Sequence, residues 1–150
     1  SGRAEAKKII EDYFANFPAI SSYIEDTLTA ARETGYVETI FGRRRYLPDI
    51  NSKNGTVRSL AERTAINAPI QGTSADIIKL AMINVDRRIK AEGLQSRMML
   101  QIHDELLFDS IPSEVETLKR IVLEEMENVT KLSVPLTVEC NYGNNWLEAH

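Results

Sequence analysis

The sequence has a single cysteine, only two histidines and no long apolar run. Cys140 cannot form an internal disulfide, and no spacing of cysteine and histidine suggests a zinc site. No apolar stretch approaches the roughly 18 residues that a membrane-spanning helix needs. The N-terminus lacks the basic segment and apolar stretch of a secretory signal. These absences predict a soluble, cytoplasmic chain that has no membrane partner.

The 150 residues have the length and composition of one globular domain, and their net charge of −4 is distributed unevenly. Residues 43–63 carry six basic and two acidic side chains, whereas residues 104–150 carry three and ten. A positive centre beside an acidic end is compatible with a polyanion on one face and cations on another. Ordinary solvated helix faces would give the same balance, so charge alone leaves both interpretations open.

The apolar spacing predicts an α+β fold, in which a small antiparallel sheet is packed by several helices and preceded by a helical hairpin. The hairpin occupies about residues 1–34: its first helix stops at Pro18 and its second at Gly35. A β-rich segment follows at residues 36–41, and Gly42 can turn the chain into a short return strand.

A helical period resumes at Val57. We expect it to be interrupted or kinked at Pro69, because proline removes a backbone donor and restricts the residue before it. Thr73 resembles the cap of a further long helix, which ends at Gly93.

The last third of the chain combines a hairpin, a helix and a strand. Two apolar runs at residues 98–102 and 106–108 predict a hairpin with a polar tip. Ser113 and Glu116 form a capping box that predicts the start of the next helix. Alternating apolar residues then predict a final strand at residues 136–142.

The polar tip of the predicted hairpin is His103-Asp104-Glu105. Ionised carboxylates between two apolar runs cost free energy unless a positive charge meets them. Mg²⁺ is the usual partner, because it binds through one or two carboxylates together with substrate oxygens. A polar hairpin turn without a metal would have the same sequence, so the tripeptide alone leaves the metal site open.

Two groups of side chains are candidates for contact with nucleic acid. The arginines at residues 43–45 suit bidentate contacts with phosphate, although a solvated basic turn is the alternative. Arg63, Asn67 and Gln71 recur every four residues, which places them on one stripe if the helix continues past Pro69. A row of donors at this pitch could bind the acceptors that every base pair presents in the DNA minor groove. A polar outer helix face is the alternative.

Six motifs follow one another in a fixed order: Gly35–Thr39, Phe41–Arg45, Glu62–Arg63, Ala65–Pro69, Gln71–Asp76 and Gln101–Leu106. Together they resemble the polymerase domain of family A DNA polymerases, the bacterial DNA polymerase I group. The resemblance runs from about Arg3 to His150. It implies that residues 1–34 form a helical hairpin of the fingers. It also implies that residues 35–150 form a fingers and palm segment with the catalytic hairpin.

The resemblance implies template-directed DNA synthesis in replication or repair, by nucleotidyl transfer with two Mg²⁺ ions. Asp104 matches a catalytic aspartate that binds the metals, and Glu105 lies beside it in a supporting or peripheral metal role. His103 matches a residue near the primer terminus. The residues that match DNA contacts are Arg63, Asn67 and Gln71 on the duplex, with Arg45 and Arg58 on the DNA backbone.

The family also requires a second aspartate, in a motif resembling Asp-Tyr-Ser-Gln-Ile-Glu, and a helix that binds the incoming nucleotide. Neither occurs in these 150 residues. We therefore expect a C-terminal piece of a polymerase whose parent binds primer–template DNA and dNTP, and we expect the piece alone to be inactive. One alternative is a non-catalytic, sequence-independent DNA-binding module. Another is a folding unit that self-associates through a face exposed by truncation.

Overall fold

The computed structural model describes residues 2–149, so Ser1 and His150, at the ends of the predicted segments, lie outside the described residues. The chain divides into two compact units, the first ending at Thr73 and the second beginning at Ser74. Helices combine with two small antiparallel sheets, which confirms the α+β class. In the described part of the chain, no helix is both long and apolar enough to cross a membrane.

The first unit begins with the two expected helices, α1 (Gly2–Asn16) and α2 (Pro18–Thr34). Only Phe17 separates them, and its ring centroid lies 5.0 Å from that of Tyr13. Proline is favoured in the first turn of a helix, where its missing N–H has no partner to lose. Gly35 ends α2 with a φ of 79° and donates its N–H to the carbonyl of Ala31.

A short hairpin follows α2. Strand β1 (Tyr36–Glu38) pairs antiparallel with β2 (Arg44–Tyr46), as the β-rich segment predicted. The hairpin is closed on one face by the Tyr36 and Tyr46 rings, whose centroids are 5.8 Å apart. Gly42, at φ 79°, turns the chain between the strands.

Of the two effects expected at Pro69, the interruption of the helix is wrong, whereas the kink stays a prediction. Helix α3 runs from Gly55 to Ala91 with Pro69 inside it, so no new helix begins at Thr73. Proline costs one intrahelical hydrogen bond, but burial of an apolar stripe before and after it stabilises the continuous helix. The buried residues of that stripe are Ala61, Ala65, Ile78, Ala81, Val85 and Ile89.

The core of the first unit lies where α2, β1 and α3 meet the loop after β2. Three of its six side chains are alanines, which allow the hairpin to approach the helices closely. They are Ala31, Val37, Leu47, Ile50, Ala61 and Ala65.

The second unit contains the predicted long hairpin. Strand β3 (Arg97–Ile102) pairs with β4 (Glu105–Asp109), with an irregularity between Met98 and Leu100. Helix α4 (Val115–Glu127) buries one apolar face, as expected. The core of this unit is formed by Val85, Ile89, Leu118, Ile121 and Val122.

Two local predictions in the second unit are wrong. Ser113 does not cap α4 through a capping box with Glu116, because residues Pro112–Glu114 form a 3₁₀ turn that continues into the helix. In the predicted final strand at 136–142, side chains are half-buried at Leu136, Val138 and Cys140, but the segment pairs with no strand in the described residues. Alternation shows that a segment is extended, whereas a strand also needs a partner distant in sequence. The chain ends with the short helix α5 (Trp146–Ala149).

Candidate nucleic-acid interface and catalytic hairpin

A groove of about 630 Å³ lies between the β1–β2 hairpin and α3. Because α3 continues through Pro69, Arg63, Asn67 and Gln71 recur on it at roughly 6 Å intervals. All three side chains are exposed and line the groove, together with Arg45. The predicted stripe required a helix that continues past Pro69, and α3 does continue past it.

Four of the polar side chains that line this groove keep their donors available. Within the described residues, Arg45, Arg63, Asn67 and Gln71 make no side-chain hydrogen bond or ion pair. Their guanidinium and amide groups can therefore bind acceptors without first breaking internal contacts. We call these four residues the donor row.

The neighbouring Arg43 and Arg44 also line the groove, but their guanidinium groups contact other parts of the chain. Arg44 donates to the Glu38 carboxylate at 2.7 Å, and its guanidinium lies 4.4 Å from the centre of the Tyr36 ring. The hydrogen bond with Glu38 raises the pKa of Arg44. Arg43 donates to the carbonyl of Gly72 at 3.1 Å, which ties the turn between the strands to α3. Sequence alone could not separate these arginines, because their difference arises from partners distant in the chain.

Gly72 allows this approach of the turn to the helix. A Cβ atom at this position would lie 2.7 Å from Cγ2 of Thr39 and 3.3 Å from a guanidinium nitrogen of Arg43. Thr73 continues the contact, because its hydroxyl accepts the N–H of Ile40 at 3.1 Å. No role was predicted for Gly72. A glycine inside a helical segment is the signal that could have identified it.

Arg58 does not line this groove. It is half-buried, and its guanidinium donates to the carbonyl of Ser52 at 2.9 Å and lies 3.8 Å from the Glu62 carboxylate. Glu62 also receives a hydrogen bond from Arg32 at 2.9 Å. The guanidinium of Arg58 thus holds the loop that leads into α3, and its contact with DNA stays a prediction.

The other predicted site residues lie together at the tip of the β3–β4 hairpin. Ile102 pairs with Glu105, so His103 and Asp104 form a two-residue turn and Glu105 begins β4. The turn and Glu105 are exposed. His103 has a φ of 55°, and its carbonyl accepts a hydrogen bond from the side-chain amide of Gln101.

The donor set at this tip suits a magnesium ion in part. Asp104 and Glu105 supply two adjacent carboxylates, the ligand type and number that Mg²⁺ commonly takes from a protein. Within residues 2–149, no group of three or more potential ligands comes together as a complete metal site. The tip therefore fits a site whose remaining oxygens come from substrate or from another segment.

Nearly the whole chain is similar in sequence to known proteins. The sequence model described as DNA polymerase family A matches residues 1–148. The chain belongs to DNA polymerase family A. The DNA polymerase I of Geobacillus stearothermophilus is 51% identical over 147 residues, which are 98% of this chain and 17% of that protein. The DNA polymerase I of Streptococcus pneumoniae is 50% identical over the same shares of the two chains.

A solved structure of the family is also similar. The POL domain of Pol1 from M. smegmatis, in complex with DNA primer-template and dNTP, matches with a TM-score of 0.95 and 51% identity. The match covers 97% of this chain and 26% of that chain. This family A chain thus spans about a sixth of the length of the curated relatives it matches.

Proposed function

We propose that the chain is part of a DNA-directed DNA polymerase that performs template-directed nucleotidyl transfer in DNA replication or repair. The observation that carries the proposal is the exposed pair of carboxylates, Asp104 and Glu105, at a hairpin tip of a family A chain. Primer–template DNA and dNTP are the partners of the whole enzyme, since the similar M. smegmatis POL domain was solved with both.

Asp104 has the catalytic role, as a metal ligand, and Glu105 supports it as a second or peripheral ligand. Two Mg²⁺ ions, when bound, activate the primer 3′-hydroxyl and neutralise charge on the triphosphate and on the leaving pyrophosphate. Asp104 lies in the turn and Glu105 starts the strand, so the Ile102–Glu105 pair closes the backbone segment that carries both carboxylates. His103 lies near the primer terminus in this assignment.

The donor row binds the nascent duplex. Purine N3 and pyrimidine O2 are acceptors in the minor groove of every base pair, so Arg63, Asn67 and Gln71 can contact DNA of any sequence. Arg45 contacts the DNA backbone, where a guanidinium binds phosphate oxygens in a bidentate manner. The availability of all four side chains in one groove supports this assignment.

The catalytic assignment is tested by primer extension with Mg²⁺ and all four nucleotides. For this test, the 150-residue chain replaces the matching segment of the G. stearothermophilus DNA polymerase I, and we call the product the chimera. Primer extension by the chimera is compared with extension by its Asp104→Asn variant. Loss of a metal-binding carboxylate is expected to lower the extension rate by at least about 100-fold. Asp109→Asn, at the other end of β4, is the matched control. Equal loss in both variants, or none with Asp104→Asn, would contradict the assignment.

The 150-residue chain by itself is expected to give no extension, because it contains only one of the two metal-binding aspartates that the family requires. The same assay tests this expectation at high chain concentration. A templated product that depends on Asp104 would contradict it. An inactive chain leaves DNA binding as its possible remaining activity.

A second candidate function, sequence-independent DNA binding by the chain alone, is favoured by the donor row. Binding to a fluorescent primer–template should weaken as salt rises, because phosphate contacts release counterions. Arg63→Ala should weaken binding similarly for unrelated sequences, because the minor-groove acceptors that it contacts occur in every base pair. Arg87→Ala, an exposed arginine of α3 outside the groove, is the control. Salt-independent binding, or equal effects of the two variants, would exclude this function.

A further inference from the structure

The turn that carries Asp104 has an unusual backbone. Among the described residues, His103 is the only non-glycine with a positive φ, at 55°. Left-handed backbone is disfavoured for residues that have a Cβ atom, although histidine adopts it more often than most. Such a conformation persists only where surrounding contacts hold it. The turn therefore needs a specific stabilising contact.

Gln101 supplies that contact. Its side-chain amide Nε2 donates to the carbonyl oxygen of His103, two residues further along the chain. This carbonyl belongs to the same planar peptide unit as the N–H of Asp104. A hydrogen bond to the oxygen thus fixes the plane that leads into Asp104. Gln101 itself is held in β3, where its backbone lies opposite Leu106.

We propose that Gln101 is a positioning residue for Asp104. Its amide holds the His103–Asp104 peptide plane in the left-handed turn, and this directs the Asp104 carboxylate in one orientation. The functional part rests on the metal-binding role proposed for Asp104. The structural part concerns the turn alone and is tested independently of the role of Asp104.

The structural part is tested by hydrogen exchange in the 150-residue chain without Mg²⁺. The amide of Glu105, opposite Ile102 across the turn, reports closure of the turn. Gln101→Leu removes the donor and is expected to raise the exchange rate of this amide by about 3- to 10-fold. Gln95→Leu makes the same chemical change at the exposed start of the hairpin and is expected to leave that rate within about twofold.

The double variant Gln101→Leu/His103→Gly separates turn stabilisation from general loosening of the strands. Glycine adopts positive φ readily, so it removes the need for the contact. We expect the exchange rate of the double variant to return to within about twofold of the parent. No change with Gln101→Leu, or no return in the double variant, would overturn the proposal.

The functional part is measured in the chimera described above, as the Mg²⁺ concentration that gives half-maximal primer extension. Gln101→Leu is expected to raise this concentration by about 3- to 10-fold and to leave DNA affinity within about twofold. A general folding defect would instead weaken DNA binding too. Altered hydrogen exchange with an unchanged Mg²⁺ requirement would overturn the positioning role. If Asp104→Asn retained full activity, the proposed function would fail. The hydrogen-exchange result would still decide whether Gln101 holds the turn.

Discussion

Glu114 shows how one carboxylate can organise one end of the β3–β4 hairpin, opposite to the tip that carries Asp104 and Glu105. It accepts hydrogen bonds from the hydroxyl of Ser96 at 2.6 Å and from the backbone N–H groups of Gln95 and Ser96. Ser96 is only 2% exposed, so these donors have few other partners. The chain is thereby fixed where it enters β3. The same contacts explain why Glu114 is not available to cap α4.

These hydrogen bonds predict a pH dependence of stability. The Ser96 hydroxyl, followed by the Gln95 N–H, holds the pKa of Glu114 below its usual range. A carboxylate whose pKa is lower in the folded state stabilises the fold above its unfolded pKa, and this contribution is lost as pH falls through the folded pKa. Glu114→Gln should therefore lower the free energy of unfolding at pH 7, and the difference from the parent should shrink in acid.

Urea unfolding of both proteins at several pH values between 7 and 3 measures this difference. Glu116→Gln, on the exposed start of α4, makes the same chemical change and is the matched control for the loss of one carboxylate. If the difference in the free energy of unfolding between the parent and Glu114→Gln stayed constant down to pH 3, the ionised state of Glu114 would not be what stabilises the entry to β3.

At the scale of elements, Pro69 lies inside a helix of 37 residues. Proline cannot donate to the carbonyl four residues earlier, and its ring crowds that carbonyl. Pro69→Ala should restore the hydrogen bond and raise the free energy of unfolding by about 1–3 kcal/mol. Pro18→Ala is the control, because Pro18 occupies the first turn of α2 and costs no hydrogen bond there. Thermal and urea unfolding measure both changes, and equal effects would contradict the explanation.

Elements that depend on local chemistry were predictable from sequence. Gly35 ends α2 and the apolar runs around residue 103 form a hairpin, because capping and alternation act within a few residues. The continuity of α3 through Pro69 was not predictable, since it depends on burial along the whole helix. The segment 136–142 was wrongly predicted as a strand for the same reason: pairing needs a partner far away in sequence.

In the candidate site too, some features were predictable from sequence and others were not. The spacing of Arg63, Asn67 and Gln71 predicted their common exposed face, because helical periodicity is a local property. The separate roles of the three consecutive arginines depend on Tyr36, Glu38 and Gly72, which only the folded chain brings to them. The clustering of two carboxylates at a hairpin tip was predictable. Their support by Gln101 was not.

At the scale of the whole molecule, α1 presents apolar side chains to solvent. Ile9, Ile10 and Tyr13 expose 64, 55 and 47% of their surface, and Phe17, directly after the helix, exposes 52%. An apolar face of this kind is typical of a surface that another polypeptide covers. The chain spans 17% of the length of its curated relatives, which have further segments outside the matched region.

We therefore predict that the 150-residue chain on its own self-associates through α1. The average mass measured by sedimentation should rise with concentration, since association buries the apolar surface of this helix. Ile9→Lys combined with Tyr13→Lys places two charges one helical turn apart on that surface and should shift the chain toward the monomer. Leu147→Lys replaces a side chain that is 90% exposed in α5 and is the control for added charge. Equal dissociation in both variants would point to general electrostatic repulsion, whereas a monomeric parent would show that the exposed face of α1 does not drive association.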